Sequence, residues 1–228
     1  MSEAMAAELI IEAEWILRRY WTKVRFPFQT EAGAWSDIDV LAYNPCEKHL
    51  VVAESKVQGA RNKVYAYTPD SGYEFIESPY LGFLDNLTVI VGDGVFDRFA
   101  ECVDRLTVQL VSNTVILPGR RDEAEAGVVR YVEENYDLPG GVRVEAMLDS
   151  TLDVLARVVV CERKRRQGRR YGHPVIDIAR ELNRYLDPSV QGAGHGTGRT
   201  DPVKCEGLRR FWEAIEGPEV AALLGAED

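Results

Sequence analysis

Paired cysteines, long apolar runs and an excess of positive charge are all missing from this sequence. The four cysteines, Cys46, Cys102, Cys161 and Cys205, are far apart and form no CxxC pair. This argues against a zinc ribbon and a disulfide scaffold, and favours reduced thiols in a cytoplasmic protein. No apolar run approaches the roughly 20 residues of a membrane span, and the N-terminus does not resemble a signal peptide. The net charge of −10 counts against a protein that grips nucleic acid over its whole surface, but it allows a local basic groove.

A buried core is expected, because 46% of the 228 residues are hydrophobic and 28% are charged. Strand and helix patterns mix over the first two-thirds of the chain, and helical patterns alone fill the last third. We therefore predict an α/β core over residues 1–149 and a helical C-terminal extension, packed on that core, over residues 150–228. The predicted helices are Glu3–Trp21, Val95–Leu106, Glu123–Tyr136, Thr151–Gln167, Pro174–Leu186 and Val203–Ile215. The predicted strands are Val24–Gln29 as an edge strand, Ser36–Tyr43, His49–Lys56, Leu87–Gly92, Val108–Leu117 and Val142–Leu148.

The segment Ser36–Gln58 contains two apolar runs around the turn signal Asn44-Pro45, which predicts a hairpin. Alternate residues of a strand share a face. A two-residue loop at Cys46-Glu47 places Asp39 opposite Glu54. A four-residue loop over Asn44–Glu47 instead places Asp37 opposite Glu54. Either even-length loop puts the acids and Lys56 on one face.

Two carboxylates that converge at the ends of apolar strands repel each other, and a hard divalent cation relieves that cost. Mg²⁺ binds through one or two carboxylates together with water and phosphate oxygens. Such a cation lowers the pKa of a bound water and neutralises charge in the transition state. A neighbouring lysine is suited to stabilise phosphoryl charge or to orient the attacking water. The pattern therefore indicates phosphodiester hydrolysis.

The hairpin resembles the PD-(D/E)xK nuclease superfamily, which has the restriction-endonuclease-like fold. The matching residues are Asp39 in Ile38-Asp39-Val40-Leu41-Ala42 and the triplet Glu54-Ser55-Lys56 after an apolar strand. The resemblance covers roughly Glu3–Gln58, with Ser36-Asp37 in the place of the family's proline. It implies a mixed β-sheet flanked by helices.

In this family a helix before the strands often carries a further glutamate of the metal site. On the predicted helix Glu3–Trp21 the candidates are Glu12 and Glu8, one turn apart on one stripe, with Glu12 slightly preferred and Glu14 off that stripe. The resemblance assigns catalytic roles to Asp39, Glu54, Lys56, Glu12 and Gln58. It gives Asp39, Glu54, Glu12, Glu8 and Asp37 as candidate ligands of Mg²⁺ or Mn²⁺. It also implies a nucleic-acid substrate, with DNA favoured, and raises the expectation of a homodimer.

Two further segments allow more than one interpretation. The basic cluster Arg163-Lys164-Arg165-Arg166 with Arg169-Arg170 could bind phosphates, or could be a solvated helix C-terminus where cations suit the dipole. The glycine-rich stretch over residues 191–198 lacks the ending of a phosphate-binding loop, so a flexible loop is the preferred interpretation and a small-molecule enzyme is disfavoured. A non-catalytic module with the same fold is the main alternative to a nuclease.

Overall fold

A computed structural model describes residues 3–30, 32–57, 63–64, 78–87, 103–112, 114–115, 121–136, 138, 141–164 and 171–186. The chain divides into two units, Met1–Cys161 and Glu162–Asp228. The helices are α1 (Glu3–Leu17), α2 (Ser78–Asp85), α3 (Arg121–Asn135), α4 (Thr151–Lys164) and α5 (Pro174–Leu186). The strands are β1 (Trp21–Gln29), β2 (Trp35–Asn44), β3 (His49–Lys56), β4 (Lys63–Val64), β5 (Arg105–Ser112), β6 (Thr114–Val115) and β7 (Arg143–Ser150).

The first unit is built around a five-stranded mixed sheet in the order β1-β2-β3-β5-β7. The strands β1, β2 and β3 are antiparallel neighbours, whereas β3, β5 and β7 run parallel to one another. The short strands β4 and β6 form a separate parallel pair. The predicted α/β class with a mixed sheet is confirmed, and β1 is the edge strand that the sequence predicts.

Two apolar clusters alternate along β3, because successive side chains of a strand point to opposite faces. Leu50 and Val52 belong to the cluster that includes residues of α2 and α3. Val51 and Ala53 belong to the cluster that includes residues of α1 and α4. Both faces of the central strands are therefore covered by helices, which explains why β3 reads as a continuous apolar run rather than an alternating one.

Helix α1 ends at Leu17, earlier than the predicted boundary at Trp21. Arg19 adopts a left-handed backbone (φ 74°), and the amides of Arg19 and Tyr20 donate to the carbonyls of Ile16 and Trp15, both at 3.0 Å. This is the Schellman arrangement of a helix C-terminus. The Trp15 and Tyr20 rings add an edge contact with centroids 4.8 Å apart. The helical spacing of apolar residues extends to Tyr20 in the sequence because Tyr20 packs in the same apolar cluster as Trp15. Tyr20 itself is not helical.

Most of the other predicted elements lie close to their observed bounds, with two corrections. The predicted single strand Val108–Leu117 is wrong, because its described residues belong to two strands, β5 and β6, which lie in different sheets. The predicted helix Val95–Leu106 is wrong at its end, because Arg105 and Leu106 belong to β5 and pair in register with His49 and Leu50. The rest of that prediction lies outside the described residues, as do residues 88–92, the helix over residues 203–215 and the glycine-rich stretch 191–198. The domain boundary at residue 149 and the packing of the extension stay predictions.

In the second unit, α5 begins at Pro174, where a missing amide proton costs nothing because the first turn has no acceptor for it. The amide of Asp177 donates to the carbonyl of His173 at 3.0 Å. Arg180 and Asn183 of α5 both donate to the Glu162 carboxylate, at 2.9 and 2.8 Å. In the described part of the chain, none of the helices combines the length and the apolarity that crossing a bilayer requires.

Candidate active site

The β2–β3 hairpin sets the register of the candidate site. Its turn covers residues 45–48, and the Asn44 side chain accepts hydrogen bonds from the amides of Cys46 (3.0 Å) and Glu47 (3.3 Å). Lys48 closes the turn with a left-handed backbone (φ 47°). Val40 lies opposite Ala53, so the next pair in this register is Asp39 and Glu54. The structure thus has the first of the two predicted registers.

The backbone pairing of β2 with β3 ends at Val40 and Ala53. Beyond this pair, the Asp39 side chain of β2 binds Ser55 of β3. The Asp39 Oδ2 atom accepts two hydrogen bonds from Ser55, one from the backbone amide and one from the hydroxyl, both at 2.7 Å. Asp39 is therefore fixed at the end of the ladder by charge-assisted bonds. Among the described residues no hydrogen bond ends on its other oxygen, Oδ1.

Glu54 is the most perturbed carboxylate of the site. It is 5% exposed, and its Oε1 atom pairs with the Lys56 ammonium. Its buried Oε2 atom has no hydrogen-bond partner in the part of the chain that the structure describes. Burial, reinforced by the nearby charge of Asp39, raises the pKa of Glu54 to about 7, although Lys56 acts in the opposite direction. A buried carboxylate oxygen without a hydrogen-bond partner destabilises the fold. A cation bound to Oε2 of Glu54 would relieve that cost.

The pKa of Asp39 is also raised. Burial is the main cause, and the charge of Glu8 adds to it, while the two Ser55 hydrogen bonds and the charge of Lys56 lower it. Asp39, Glu54 and Lys56 therefore act on one another electrostatically, as three groups at the end of the same hairpin. This is the grouping that the sequence pattern predicted.

Glu8, rather than the slightly preferred Glu12, is the helix glutamate that acts on Asp39. Glu8 is 3% exposed. Its two carboxylate oxygens accept hydrogen bonds from the Nε and Nη2 atoms of Arg25, both at 3.0 Å. Arg25 has a left-handed backbone (φ 52°). It falls across from Asp39, between the pairs Val24–Val40 and Phe26–Ile38, so the β1–β2 pairing is interrupted there without a change of register. Glu12 instead accepts a hydrogen bond from the Thr22 hydroxyl at 3.0 Å.

The remaining predicted residues lie in several places. Asp37 is exposed, pairs in register with Pro27, and contributes to the raised pKa of Glu54. Arg163 and Lys164 are exposed in the last turn of α4. The other predicted site residues lie outside the described part of the chain; these are Gln58, Arg165, Arg166, Arg169 and Arg170.

A buried polar network on the α1 face of the sheet was not predicted. The Arg157 guanidinium of α4 donates to Glu14 (2.7 and 3.0 Å) and to Asp149 (2.7 and 2.5 Å). Gln109 of β5 donates to Asp149 at 3.0 Å and accepts a bond from the Trp15 indole at 2.8 Å. The network joins α1, β5, β7 and α4, so it fixes the helix that carries Glu8. Its members are up to 143 residues apart, and no local pattern could have revealed it.

Within the described ranges, no group of three or more His, Cys, Asp or Glu side chains is gathered closely enough to hold a metal ion. A Mg²⁺ site needs only one or two protein carboxylates, so Asp39 and Glu54 suffice chemically. No family model matches the chain, and comparison with curated proteins and with solved structures gives no match either.

Proposed function

We propose that this protein is a metal-dependent nuclease that hydrolyses phosphodiester bonds, with DNA as the favoured substrate. The observation that carries the proposal is the buried Glu54 carboxylate, which has an unpartnered oxygen next to Asp39 and is paired with Lys56. Carboxylates whose pKa is shifted by burial and by a specific charged neighbour cluster at functional sites. The neighbouring residues supply the pattern Asp–strand–turn–strand–Glu-Ser-Lys of the PD-(D/E)xK family.

The arrangement of elements supports the same proposal. A helix precedes the strands, a mixed sheet is flanked by helices on both faces, and a buried helix glutamate, Glu8, acts on the hairpin acid Asp39. The resemblance implies each of these three features. They are long-range features, so they are independent of the short Glu-Ser-Lys motif itself.

The chain's own residues divide the chemistry between them. Asp39 Oδ1 and Glu54 Oε2 are the oxygens that would hold Mg²⁺ or Mn²⁺, and Ser55 holds Asp39 in place. When bound, the cation supplies a water of lowered pKa and neutralises phosphoryl charge. Lys56, which is one-third exposed, would stabilise the charge of the scissile phosphate.

The acidic chain needs a local source of positive charge for a polyanionic substrate. Arg163 and Lys164 are exposed at the end of α4, and the sequence adds four more arginines by residue 170. Binding through such a patch releases counterions, so affinity would fall steeply as salt increases.

The test is cleavage of single-stranded, duplex and branched DNA, and of RNA, in Mg²⁺ or Mn²⁺. Lys56→Ala and Glu54→Gln should each lower the rate by about 100-fold or more, because both remove charge that acts on the transition state. The matched control is Lys48→Ala, in the turn before the same strand, where the ammonium pairs with exposed Asp104 at 3.4 Å. Cleavage that survives Glu54→Gln, or falls equally with Lys48→Ala, would refute the proposal.

A second candidate function is a non-catalytic binding module with this fold. The observation in its favour is the direct Lys56–Glu54 ion pair, which neutralises Glu54 without a cation. This candidate predicts nucleic-acid or protein binding with no cleavage, and no Mn²⁺ heat in calorimetry. A Mn²⁺ signal that disappears in Asp39→Ala would exclude it and favour the nuclease.

A further inference from the structure

The β1–β2 ribbon extends past the end of the β2–β3 ladder on the side of the candidate site. β1 and β2 pair from Trp21–Tyr43 to Gln29–Trp35, whereas β2 and β3 pair only from Asn44 to Val40. The part of β2 before Val40 therefore has β1 as its only strand partner among the described residues. This overhanging ribbon carries Asp39 at its base and Trp35 near its tip.

Trp35 is 75% exposed at the start of β2. The turn next to it is closed by hydrogen bonds from the Thr30 amide to the Ala34 carbonyl and from the Gly33 amide to the Thr30 carbonyl, both at 2.8 Å. Gln29 adds a side-chain bond to the Gly33 carbonyl at 3.0 Å. Gly33 takes the left-handed conformation (φ 80°) that closes the turn. The indole is thus presented to solvent from a fixed backbone.

The distance of Trp35 from the site follows from the register. Continuing the register of Val40 and Ala53 sets Asp37 level with Lys56, and Trp35 lies two residues further out. At about 3.3 Å per residue, Trp35 is roughly 7 Å beyond the level of Lys56 along the strand. Trp21 is equally exposed at 73%, but it pairs with Tyr43, which lies opposite Leu50. It is therefore six residues, or roughly 20 Å, from the level of Lys56 in the other direction.

The ribbon edge is poorly suited to pairing with another protein strand. β1 carries Lys23, Arg25 and Pro27 along its exposed positions, and charges and proline are features that block edge-to-edge pairing. Arg25 and Lys23 lie four and six residues, roughly 13 and 20 Å, from Gln29, the strand partner of Trp35. A cationic edge that leads to an exposed indole instead matches single-stranded nucleic acid, which is bound by positive charge along its backbone and by aromatic rings under its bases.

We propose that Trp35 is a stacking platform for an unpaired base of the substrate, a few nucleotides from the scissile phosphate. The inference rests on the proposed nuclease function and narrows its substrate class. A base inside a duplex is already stacked on its neighbours, so the base that stacks on Trp35 must be unpaired. The substrate class is then nucleic acid with single-stranded nucleotides beside the cut, such as a single strand, a flap or a branch.

The test uses fluorescence anisotropy without divalent cations, so that nothing is cleaved. The probes are a labelled 20-nucleotide oligothymidine and a 20-mer of the same charge made only of abasic residues. Trp35→Ala should weaken oligothymidine binding by roughly 5- to 100-fold, the range for one lost stacking contact. Trp35→Phe should retain most of the affinity, Trp21→Ala should stay within about twofold, and abasic binding should be the same in all variants.

Three outcomes would overturn the inference. Unchanged oligothymidine binding by Trp35→Ala would show that no base stacks there, and equal losses with Trp21→Ala would show nonspecific contact. A change in oligomeric state on gel filtration with Trp35→Ala would assign the ribbon to a second copy of the chain. Metal-dependent cleavage that persists in any of these cases would leave the proposed function intact, whereas a wild-type protein that neither binds nor cleaves would overturn both.

Discussion

Glu54→Gln should make the protein more stable at alkaline pH while removing its metal response. The substitution keeps the size of the side chain but removes a charge that is buried in the fold. The pKa of Glu54 is raised from 4.5 to about 7, so the folded state holds its proton more tightly than the unfolded state does. At about 1.4 kcal/mol for each unit of pKa, the charged form costs the fold about 3 kcal/mol above pH 7.

The sign of the pH dependence follows from the same values. Below pH 4.5 the carboxyl is protonated in both states, and the wild type and Glu54→Gln should be equally stable. Between pH 4.5 and about 7 the unfolded state releases its proton first, so the wild type loses stability as the pH rises while the variant does not. Above pH 7 the difference stays constant.

Thermal and urea unfolding at pH 4, 6 and 8 measure this difference. For a chain of this size, about 3 kcal/mol corresponds to a melting temperature higher by roughly 6–12 °C in Glu54→Gln at pH 8. Glu133→Gln, which removes an exposed carboxylate of α3, is the control and should change the unfolding free energy by less than about 0.5 kcal/mol. A variant that is no more stable than the wild type at pH 8, or equally shifted at every pH, would refute the reasoning.

Metal provides the second half of the experiment. Mn²⁺ at about 100 times its dissociation constant should stabilise the wild type at pH 8 by about 2.7 kcal/mol, because it binds only the folded state. The same addition should leave Glu54→Gln unchanged, since the amide cannot replace the carboxylate as a charged ligand. Equal stabilisation of both proteins would place the metal elsewhere.

Three more substitutions test other parts of the structure. Arg157→Met leaves buried Asp149 without its cation, and leaves buried Glu14 with Arg18 alone. It should lower the unfolding free energy by about 3–5 kcal/mol in urea titrations; a loss under 1 kcal/mol would mean the network contributes little. Ser150→Ala removes the reciprocal cap at the start of α4 and should cost about 1 kcal/mol in the same assay, with unchanged metal binding. Glu8→Gln should weaken Mn²⁺ binding in calorimetry by about 10-fold, as loss of a supporting group does, whereas Glu12→Gln should have little effect; the reverse order would restore Glu12 as the helix ligand.

The sequence alone determined the local features of the site. Apolar runs around Asn44-Pro45 were enough to predict the hairpin, and the two-residue spacing of Glu54 and Lys56 placed them on the same strand face. The α/β class followed from the order of periodic segments. These features depend on neighbours in the chain, which is why they could be read without a structure.

Only the tertiary structure decided how the site is completed. Asn44 and Lys48 selected one of two even registers, through a side-chain bond and a left-handed backbone that no periodicity reveals. Glu8 rather than Glu12 acts on Asp39, and the Arg25 guanidinium of β1 donates to Glu8. The contact between Arg25 and Glu8 joins residues 17 positions apart.

No sequence pattern indicated that the pKa of Glu54 is raised. In a Glu-Ser-Lys triplet exposed to water, the Glu and Lys side chains would form a surface ion pair that contributes little to the free energy of unfolding. Its raised pKa arises because helices cover both faces of β3 and because Asp39 arrives from the neighbouring strand. The sequence supplied the residue types of the candidate site, and burial by the folded chain supplied the electrostatic cost that a cation would relieve.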